Sequence, residues 1–309
     1  MKALVTGGAG FIGSNVVRRL VEDGHEVAVL DDLSSGHEDN LRPFPAVRLT
    51  RGDVRSEASV AHAMAGAEVV FHLAASVGNQ RSIADPVADS EINVIGTLRV
   101  LECARKTGVR KVVFSSSAGI FGELKTLPIR EDHPVEPDTP YGAGKLGAEK
   151  HCLAFAKLYP PLEVICLRYF NVYGVNQYFD AYGNVIPIFV HRLLRNQPLV
   201  VFGDGEQTRD FVNVRDVADA NYRAAMSRGV SGAFNIASGT RVTINALIQE
   251  LRSASGRDFR VEHAPPRKGD VRDSLADVSA ARAGFGYVPT VSLVEGLNAY
   301  LRWAETALV

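Results

Sequence analysis

Over roughly the first 170 residues, short apolar runs alternate with segments of helical period, the pattern of strand–helix units that feed a parallel sheet. The spacing predicts strands at 2–6, 26–30, 47–51, 69–73, 111–115 and 164–168, and six such strands predict a doubly wound α/β fold. Asp85-Pro86, a capping residue followed by proline at the first helical position, announces a helix over 85–107 whose apolar face includes Leu98 and Leu101. Residues 131–140 read as a loop, because Pro134, Pro137 and Pro140 interrupt any helix there, and a helix over 141–158 follows. Beyond Arg168 the chain turns to Gly, Asn, Tyr and Pro, with helices predicted at 187–196, 216–226, 243–255 and 292–308, the last with a capping box of Ser292 and Glu295. No internal repeat or polar linker interrupts the chain, so the C-terminal part is expected to pack directly on the sheet.

Composition narrows the class. The 309 residues are 46% hydrophobic and 22% charged, the balance of a globular protein with a sizeable core, which excludes disorder and fibrous repeats. Lys+Arg (34) and Asp+Glu (35) leave a net charge of −1, no field for nucleic acid or an acidic membrane. Cys103, Cys152 and Cys166 form no CxxC pair and no His cluster has metal-ligand spacing, so neither a disulfide scaffold nor structural zinc is expected. The apolar stretch at Met1 is too short for a signal peptide and no eighteen apolar residues run together; the expectation is a cytoplasmic enzyme.

Gly7-Gly8-Ala9-Gly10-Phe11-Ile12-Gly13 follows the first strand directly and opens a helix, the place of a dinucleotide-binding turn. Glycines let the backbone approach a pyrophosphate, and the helix N-terminus meets it with free N–H donors and partial positive charge. Asp31 ends the second strand eighteen residues past Gly13, where a carboxylate accepts ribose hydroxyls and repels a 2′-phosphate. No arginine lies in Asp31-Asp32-Leu33-Ser34-Ser35-Gly36-His37, so NAD is favoured over NADP. Tyr141-Gly142-Ala143-Gly144-Lys145 sets a phenol and an ammonium at i and i+4, on one helix face, where positive charge favours the phenolate. Ser115-Ser116-Ser117 ends the fifth strand at the carboxyl edge of the sheet, where ligands of doubly wound folds bind.

To these are added His72-Leu73-Ala74-Ala75, Asn93 with Gly96-Thr97, and Arg168-Tyr169-Phe170-Asn171-Val172-Tyr173-Gly174. Gly203-Asp204-Gly205 through Arg209-Asp210-Phe211, and Gly269-Asp270-Val271-Arg272, complete an ordered set. Jointly it resembles the extended short-chain dehydrogenase/reductases, and within them the NAD-dependent nucleotide-sugar 4-epimerases related to UDP-galactose 4-epimerase, over nearly the whole chain. The resemblance implies a Rossmann domain at 1–168 with about 211–236 that holds NAD as a prosthetic group, and a smaller C-terminal α/β lobe at 169–210 and 237–309 that holds a UDP-sugar. It implies that Tyr141 takes the proton of the sugar 4-hydroxyl as hydride leaves C4, that Lys145 binds the nicotinamide ribose and lowers the tyrosine pKa, and that Ser117 hydrogen-bonds the 4-oxygen. Cofactor contacts are implied at Gly7, Gly10, Phe11, Ile12 and Gly13 on the turn, at Asp31, Asp32, Ser35 and Gly36 after the second strand, and at Asp53 and Val54 after the third. Leu73, Ala74, Ala75, Asn93, Ser115 and Tyr169 are implied to join Tyr141 and Lys145 around it. Asn171, Asn184, Val185, Arg209 and Arg272 correspond to positions that hold uracil and diphosphate, a task suited to arginine's fork. In the family, helices equivalent to 85–107 and 141–158 pair across a two-fold axis as a four-helix bundle, so a homodimer is implied.

Sister reactions in the family need an acid beside the sugar, and here those positions are Ala118 and Gly119. That argues for epimerisation over dehydration or decarboxylation. Gly119 also replaces a threonine frequent in hexose epimerases, and Ser76-Val77-Gly78-Asn79-Gln80-Arg81-Ser82 departs from the family's usual loop, leaving Gln80 and Arg81 as sugar contacts. Arg81 or Arg192 pairing with a carboxylate would make the substrate UDP-glucuronate/UDP-galacturonate rather than UDP-glucose/UDP-galactose. Two alternatives stand beside the epimerase: a keto-sugar reductase or dehydratase acting on a nucleotide sugar with NAD(P), and a dinucleotide sensor without chemistry.

Overall fold

The computed structural model describes residues 1–179, 183–266 and 271–308. Its centre is one parallel sheet of β1 (Lys2–Thr6), β2 (Glu26–Asp31), β3 (Arg48–Arg51), β4 (Val69–His72), β5 (Lys111–Ser117), β6 (Glu163–Tyr169) and β11 (Gly232–Ile236). The spatial order is β11-β6-β5-β4-β1-β2-β3, so the direction of growth reverses between β1 and β4 and a crevice opens at the carboxyl ends of those strands. Short pairs lie beyond the sheet: β7 (Asn171–Tyr173) with β10 (Phe211–Asn213), β8 (Leu199–Phe202) with β13 (Val261–Ala264), and β9 (Thr208–Arg209) with β12 (Val242–Thr243).

The helices are α1 (Phe11–Glu22), α2 (Glu57–Met64), α3 (Asn79–Ala84), α4 (Pro86–Ser90), α5 (Thr97–Thr107) and α6 (Pro140–Leu158), then α7 (Val185–Leu194), α8 (Val214–Met226), α9 (Ile244–Ser255), α10 (Ser279–Phe285) and α11 (Leu293–Ala307). Alternation along β1 sends Ala3 and Val5 to the face covered by α1 and α8, and Leu4 to the face covered by α2, α5 and α6. A separate cluster joins Phe189 of α7, Leu247 of α9 and Tyr300 of α11 in the C-terminal part.

The doubly wound sheet is as expected, with a seventh strand, β11, that the sequence reading lacks. Its run Gly-Ala-Phe-Asn-Ile is short and polar at Asn235, which is buried because its side chain donates to the carbonyls of Ile129 and Asp277. The expected helix over 85–107 is α4, a π-helical stretch over Glu91–Gly96, and α5, with the predicted Asp85 cap accepting from Ala88 N at 3.0 Å. Helix α7 begins at Val185 rather than at Pro187, since a proline in the first turn removes an N–H that has no helical partner anyway. Likewise Pro140, expected in the preceding loop, opens α6 behind the Thr139 cap. Helix α8 starts two residues early, at Val214, because Asn213 caps it. Ser292 accepts from Glu295 N, but the Glu295 carboxylate pairs with Arg215 at 2.8 Å, so half of the predicted capping box is present.

One buried ion pair fixes α6 to the sheet. Arg168 of β6 donates to both carboxylate oxygens of Glu149 of α6, at 3.0 and 2.7 Å, and Ser116 of β5 adds a hydrogen bond of 2.6 Å. The remaining Arg168 nitrogen donates to the Glu131 carbonyl at 2.8 Å, and the guanidinium lies over Phe121. Removing one partner leaves a buried charge without compensation. Glu149→Ala is therefore expected to lower stability by about 3–5 kcal/mol, read as an earlier urea-unfolding midpoint at unchanged slope.

Candidate functional site

The crevice is floored by the glycine turn. Gly7 has φ +69°, and a Cβ there would stand 2.7 Å from Ala74 N across the gap to the chain leaving β4. A Cβ on Gly13 would stand 2.0 Å from Gly7 O, so α1 closes on the turn only without one. Helix α1 is capped by Gly10, which has no side chain to occupy the first-turn N–H groups, and its first turn holds no acid. This uncapped N-terminus between glycines is a cradle for an anion, and a dinucleotide's pyrophosphate fits it.

Asp31 closes the far end. It is buried at the end of β2, accepts from Ala9 N and Leu33 N at 2.9 Å each, and burial pushes its carboxyl pKa up. Gly36 packs against it so tightly that a Cβ would meet its Oδ1 at 2.8 Å. Asp32, exposed, takes the amide and hydroxyl of Ser34, and Ser35 is exposed beside it. Asp53 is held by Arg55, and Val54 is buried against Gly96. Asp53 is thus committed to Arg55, while at Asp32 only Oδ1 is engaged.

A hydrogen-bonded chain fixes the floor where β1 and β4 diverge. The Thr97 hydroxyl donates to Asn93 O at 2.7 Å, so its oxygen accepts from His72 Nε2 at 2.9 Å. That leaves His72 Nδ1 to accept from the Thr6 hydroxyl at 2.7 Å, and Thr6 Oγ1 in turn accepts from Ala74 N at 3.2 Å. Leu73 N donates to Thr6 O, and Ala75 follows, half-buried. Asn93 brackets Ser76, accepting from its N and donating to its O at 3.0 Å each. Its amide is committed to positioning this loop.

Tyr141, Lys145 and Glu149 recur every fourth residue along α6 and share its inner face. Ser117 lies beside the Tyr141 phenol, close enough to lower its pKa, and accepts from Gly119 N at 3.1 Å. Burial pushes the Tyr141 pKa up, and Ser117 opposes it. Lys145 is 2% exposed and donates to Ser115 O at 2.8 Å, with its ammonium 5.0 Å from the Phe114 ring centroid. Burial lowers its pKa to about 8. Its contact is thus with Ser115, and the group that acts directly on the phenol is Ser117. A Cβ on Gly119 would lie 3.3 Å from Ser117 Oγ and 3.6 Å from Tyr141 Cε1, so Gly119 borders the reacting groups.

The other expected contacts spread over the C-terminal side. Tyr169 turns its hydroxyl into the core, paired with Asn221 at 3.0 Å, and burial raises its pKa. Asn171 donates to Asp210 O, and Asn184 precedes α7 and donates to Val172 O, so both lie at β7 with Val185 just beyond. Arg209 donates to Val271 O at 2.7 Å. Its sequence neighbour Asp210 does not pair with it; it accepts from Ser238 N, Gly239 N and Ala276 N. Arg272 grips Asp204 with two bonds of 2.8 and 3.1 Å and holds that carboxyl down to about 2. The pair lines a cavity of about 560 Å³ with Phe202, Gln207 and Val271. Gly269 and Asp270 lie outside the described residues. Gln80 and Arg81 are exposed on α3, which reaches α6 through the Thr139–Asn79 hydrogen bond. Arg192 sits in the last turn of α7, its guanidinium on Pro198 O at 2.9 Å, at the opposite end of the helix from Asn184. Sequence reading missed the His72 chain and the buried Asp89 beside Gly144, since neither follows from a spacing.

Among the described residues no cluster of His, Cys, Asp and Glu could hold a metal, and no helix is long and apolar enough to cross a membrane.

Residues 3–237 match the NAD dependent epimerase/dehydratase family. The chain is 41% identical over 304 residues to the UDP-glucose 4-epimerase of Mycolicibacterium smegmatis, covering 96% of each. It is similar to the solved UDP-glucose 4-epimerase of Thermotoga maritima with UDP-glucose, at 39% identity and a TM-score of 0.94 with all of both chains covered. It is also similar to the UDP-N-acetylglucosamine 4-epimerase of Methanobrevibacter ruminantium in complex with UDP-N-acetylmuramic acid, at 34% identity and a TM-score of 0.94, with 99% of this chain and 98% of the other covered.

The His72 chain generates a pH dependence. Burial lowers the His72 pKa to about 3 against 6.5 for the free side chain, so the folded state keeps it neutral while the unfolded chain takes up a proton below 6.5. Its contribution is therefore complete above pH 6.5 and is lost as pH falls toward 3. Stability is expected to drop by about 2 kcal/mol from pH 7 to pH 5 through this group, measured by urea unfolding, and His72→Gln should flatten that slope.

Proposed function

The chain belongs to the NAD dependent epimerase/dehydratase family, and on that premise we propose that it inverts C4 of a UDP-sugar through a transient 4-keto sugar. The observation that carries this reading is the junction of Ser117, Tyr141 and Lys145 at the sheet edge, with no carboxylate at Ala118 or Gly119 to eliminate water or assist loss of CO₂. Bound NAD supplies reversible hydride acceptance at the sugar C4. The glycine turn and the α1 N-terminus hold its pyrophosphate, and Asp31 accepts its ribose hydroxyls. The Tyr141 phenolate takes the proton of the 4-hydroxyl and gives it back, while Ser117 holds the 4-oxygen in line. Lys145, whose pKa stays near 8, would bind the nicotinamide ribose and, with its positive charge, favour the phenolate.

In this reading residues 1–168 with about 211–236 hold NAD, and 169–210 with 237–309 hold the UDP-sugar. Asn171, Asn184, Val185 and Arg209 face the nucleotide, and Arg272 exchanges Asp204 for the diphosphate. A hexuronate carboxylate would have Arg81 or Arg192 as its partner. The helices over 85–107 and α6 form the face of a homodimer, supported by Val87 and Ile95, which are 68% and 45% exposed; a monomer in sedimentation equilibrium would remove that part.

Incubation with catalytic NAD and UDP-glucose, UDP-N-acetylglucosamine or UDP-glucuronate, read by NMR, is expected to give the C4 epimer of one sugar without net NADH. Tyr141→Phe should lower kcat by about 10²–10⁴ with the fold intact. Stoichiometric cofactor consumption would support a reductase instead, and loss of activity on UDP-glucuronate after Arg81→Ala would support the hexuronate.

A further inference from the structure

Asp89 of α4 is 2% exposed, yet it belongs to no function derived above. One carboxylate oxygen accepts from Asn93 Nδ2 at 3.0 Å, while Oδ1 is buried with no hydrogen-bond partner. A carboxylate desolvated in this way opposes folding, so its presence asks for another reason. Its position supplies one. It packs on the α6 backbone at Gly144, where a Cβ would stand 3.3 Å from Oδ2, and Gly144 lies between Tyr141 and Lys145. The glycine lets the carboxylate approach the helix that carries both reacting groups.

We propose that Asp89 is a positioning residue of the catalytic site, a fixed negative charge that sets the field in which Tyr141 and Lys145 hold their protons. Its charge disfavours the phenolate and favours the ammonium, and both pKa values are raised by it. Burial lowers Lys145 toward neutrality and Asp89 opposes that, keeping the lysine charged, while at Tyr141 its charge adds to burial in holding the proton on the phenol.

The other titratable groups around this centre are accounted for. From α6 and β4, Cys152 and His72 face Lys145, and His72 is neutral. Glu149 is paired with Arg168. On the elements packed against Asp89, Glu91 is exposed and pairs with Arg55, Arg81 of α3 is exposed and donates to Val77 O, and Asp85 caps α4 at Ala88 N. Asp89 is the buried acid of the set without a cationic partner at hydrogen-bond distance among the described residues.

The proposal rests on the reading of Tyr141 and Lys145 as the reacting pair, but its test needs no sugar. The Tyr141 phenol is titrated by its tyrosinate absorbance as the difference between the protein and its Tyr141→Phe variant, in the native background and with Asp89→Asn, Asp89→Ser or Asp89→Glu. Asn and Ser both remove the charge, and Ser keeps an oxygen for Asn93, so one stands in if the other does not fold. Both are expected to move the Tyr141 titration down by roughly one pH unit, and Glu to leave it in place. In the epimerase assay both limbs of the kcat profile should move to lower pH with KM little changed, a shift that a purely structural loss would not produce. A titration unmoved by Asn and Ser, or moved as far by Glu, overturns the proposal. Absence of epimerisation in the unmutated protein would defeat the proposed function and leave the titration result standing.

Discussion

The contact between α6 and the sheet decides where the chemistry can occur. Glu149, buried and bonded to Arg168 and Ser116, locks the rotation of the helix about its axis, because both oxygens of one carboxylate are held by two different strands. Once that residue is fixed, the fourfold spacing places Lys145 beneath Ser115 and Tyr141 beside Ser117, one and two turns nearer the carboxyl edge. A slip of one residue would swing all three side chains off the sheet by about 100°. The ion pair need not add net stability to serve this purpose; what it supplies is a single orientation.

Around that fixed helix, the two halves of the crevice are tied to each other by buried polar side chains. Asn15, on α1 behind the glycine turn, donates to Val175 O, and Asn176 donates to Ser14 Oγ, each at 2.9 Å. The chain leaving β7 is thus fastened to the helix behind the glycine turn. On the other side Asp210, between β9 and β10, gathers three backbone amides from two loops and sets the segment that carries Arg209. The proposed cofactor and substrate sites are thereby held as one body, which suits the proposed reaction, in which the hydride acceptor stays bound.

The parts of this arrangement that sequence revealed are those with a fixed spacing. The glycine turn, Asp31 at the strand end and Tyr141 four residues before Lys145 are local patterns, and steric need at Gly7 and Gly13 explains why they are written so plainly. What stayed hidden depends on contacts between distant segments. His72 looks like one polar residue in an apolar run until Thr6 and Thr97 stand on either side of it. The turn that brings Pro198 O to Arg192 cannot be read from spacing, and neither can the pairing of Arg272 with Asp204, 68 residues away. Strand β11 was missed for the same reason, as the Nδ2 of its buried Asn235 is met only by carbonyls distant along the chain.

In the proposed reaction, one fixed set of groups removes and returns hydrogen at the same carbon. Turnover of UDP-glucose carrying deuterium at C4 tests it most directly, in ordinary water with the product examined by NMR and mass spectrometry. The account predicts a C4 epimer that retains the deuterium at C4, with no net reduced cofactor. Deuterium lost to solvent, or recovered in released cofactor, would contradict it.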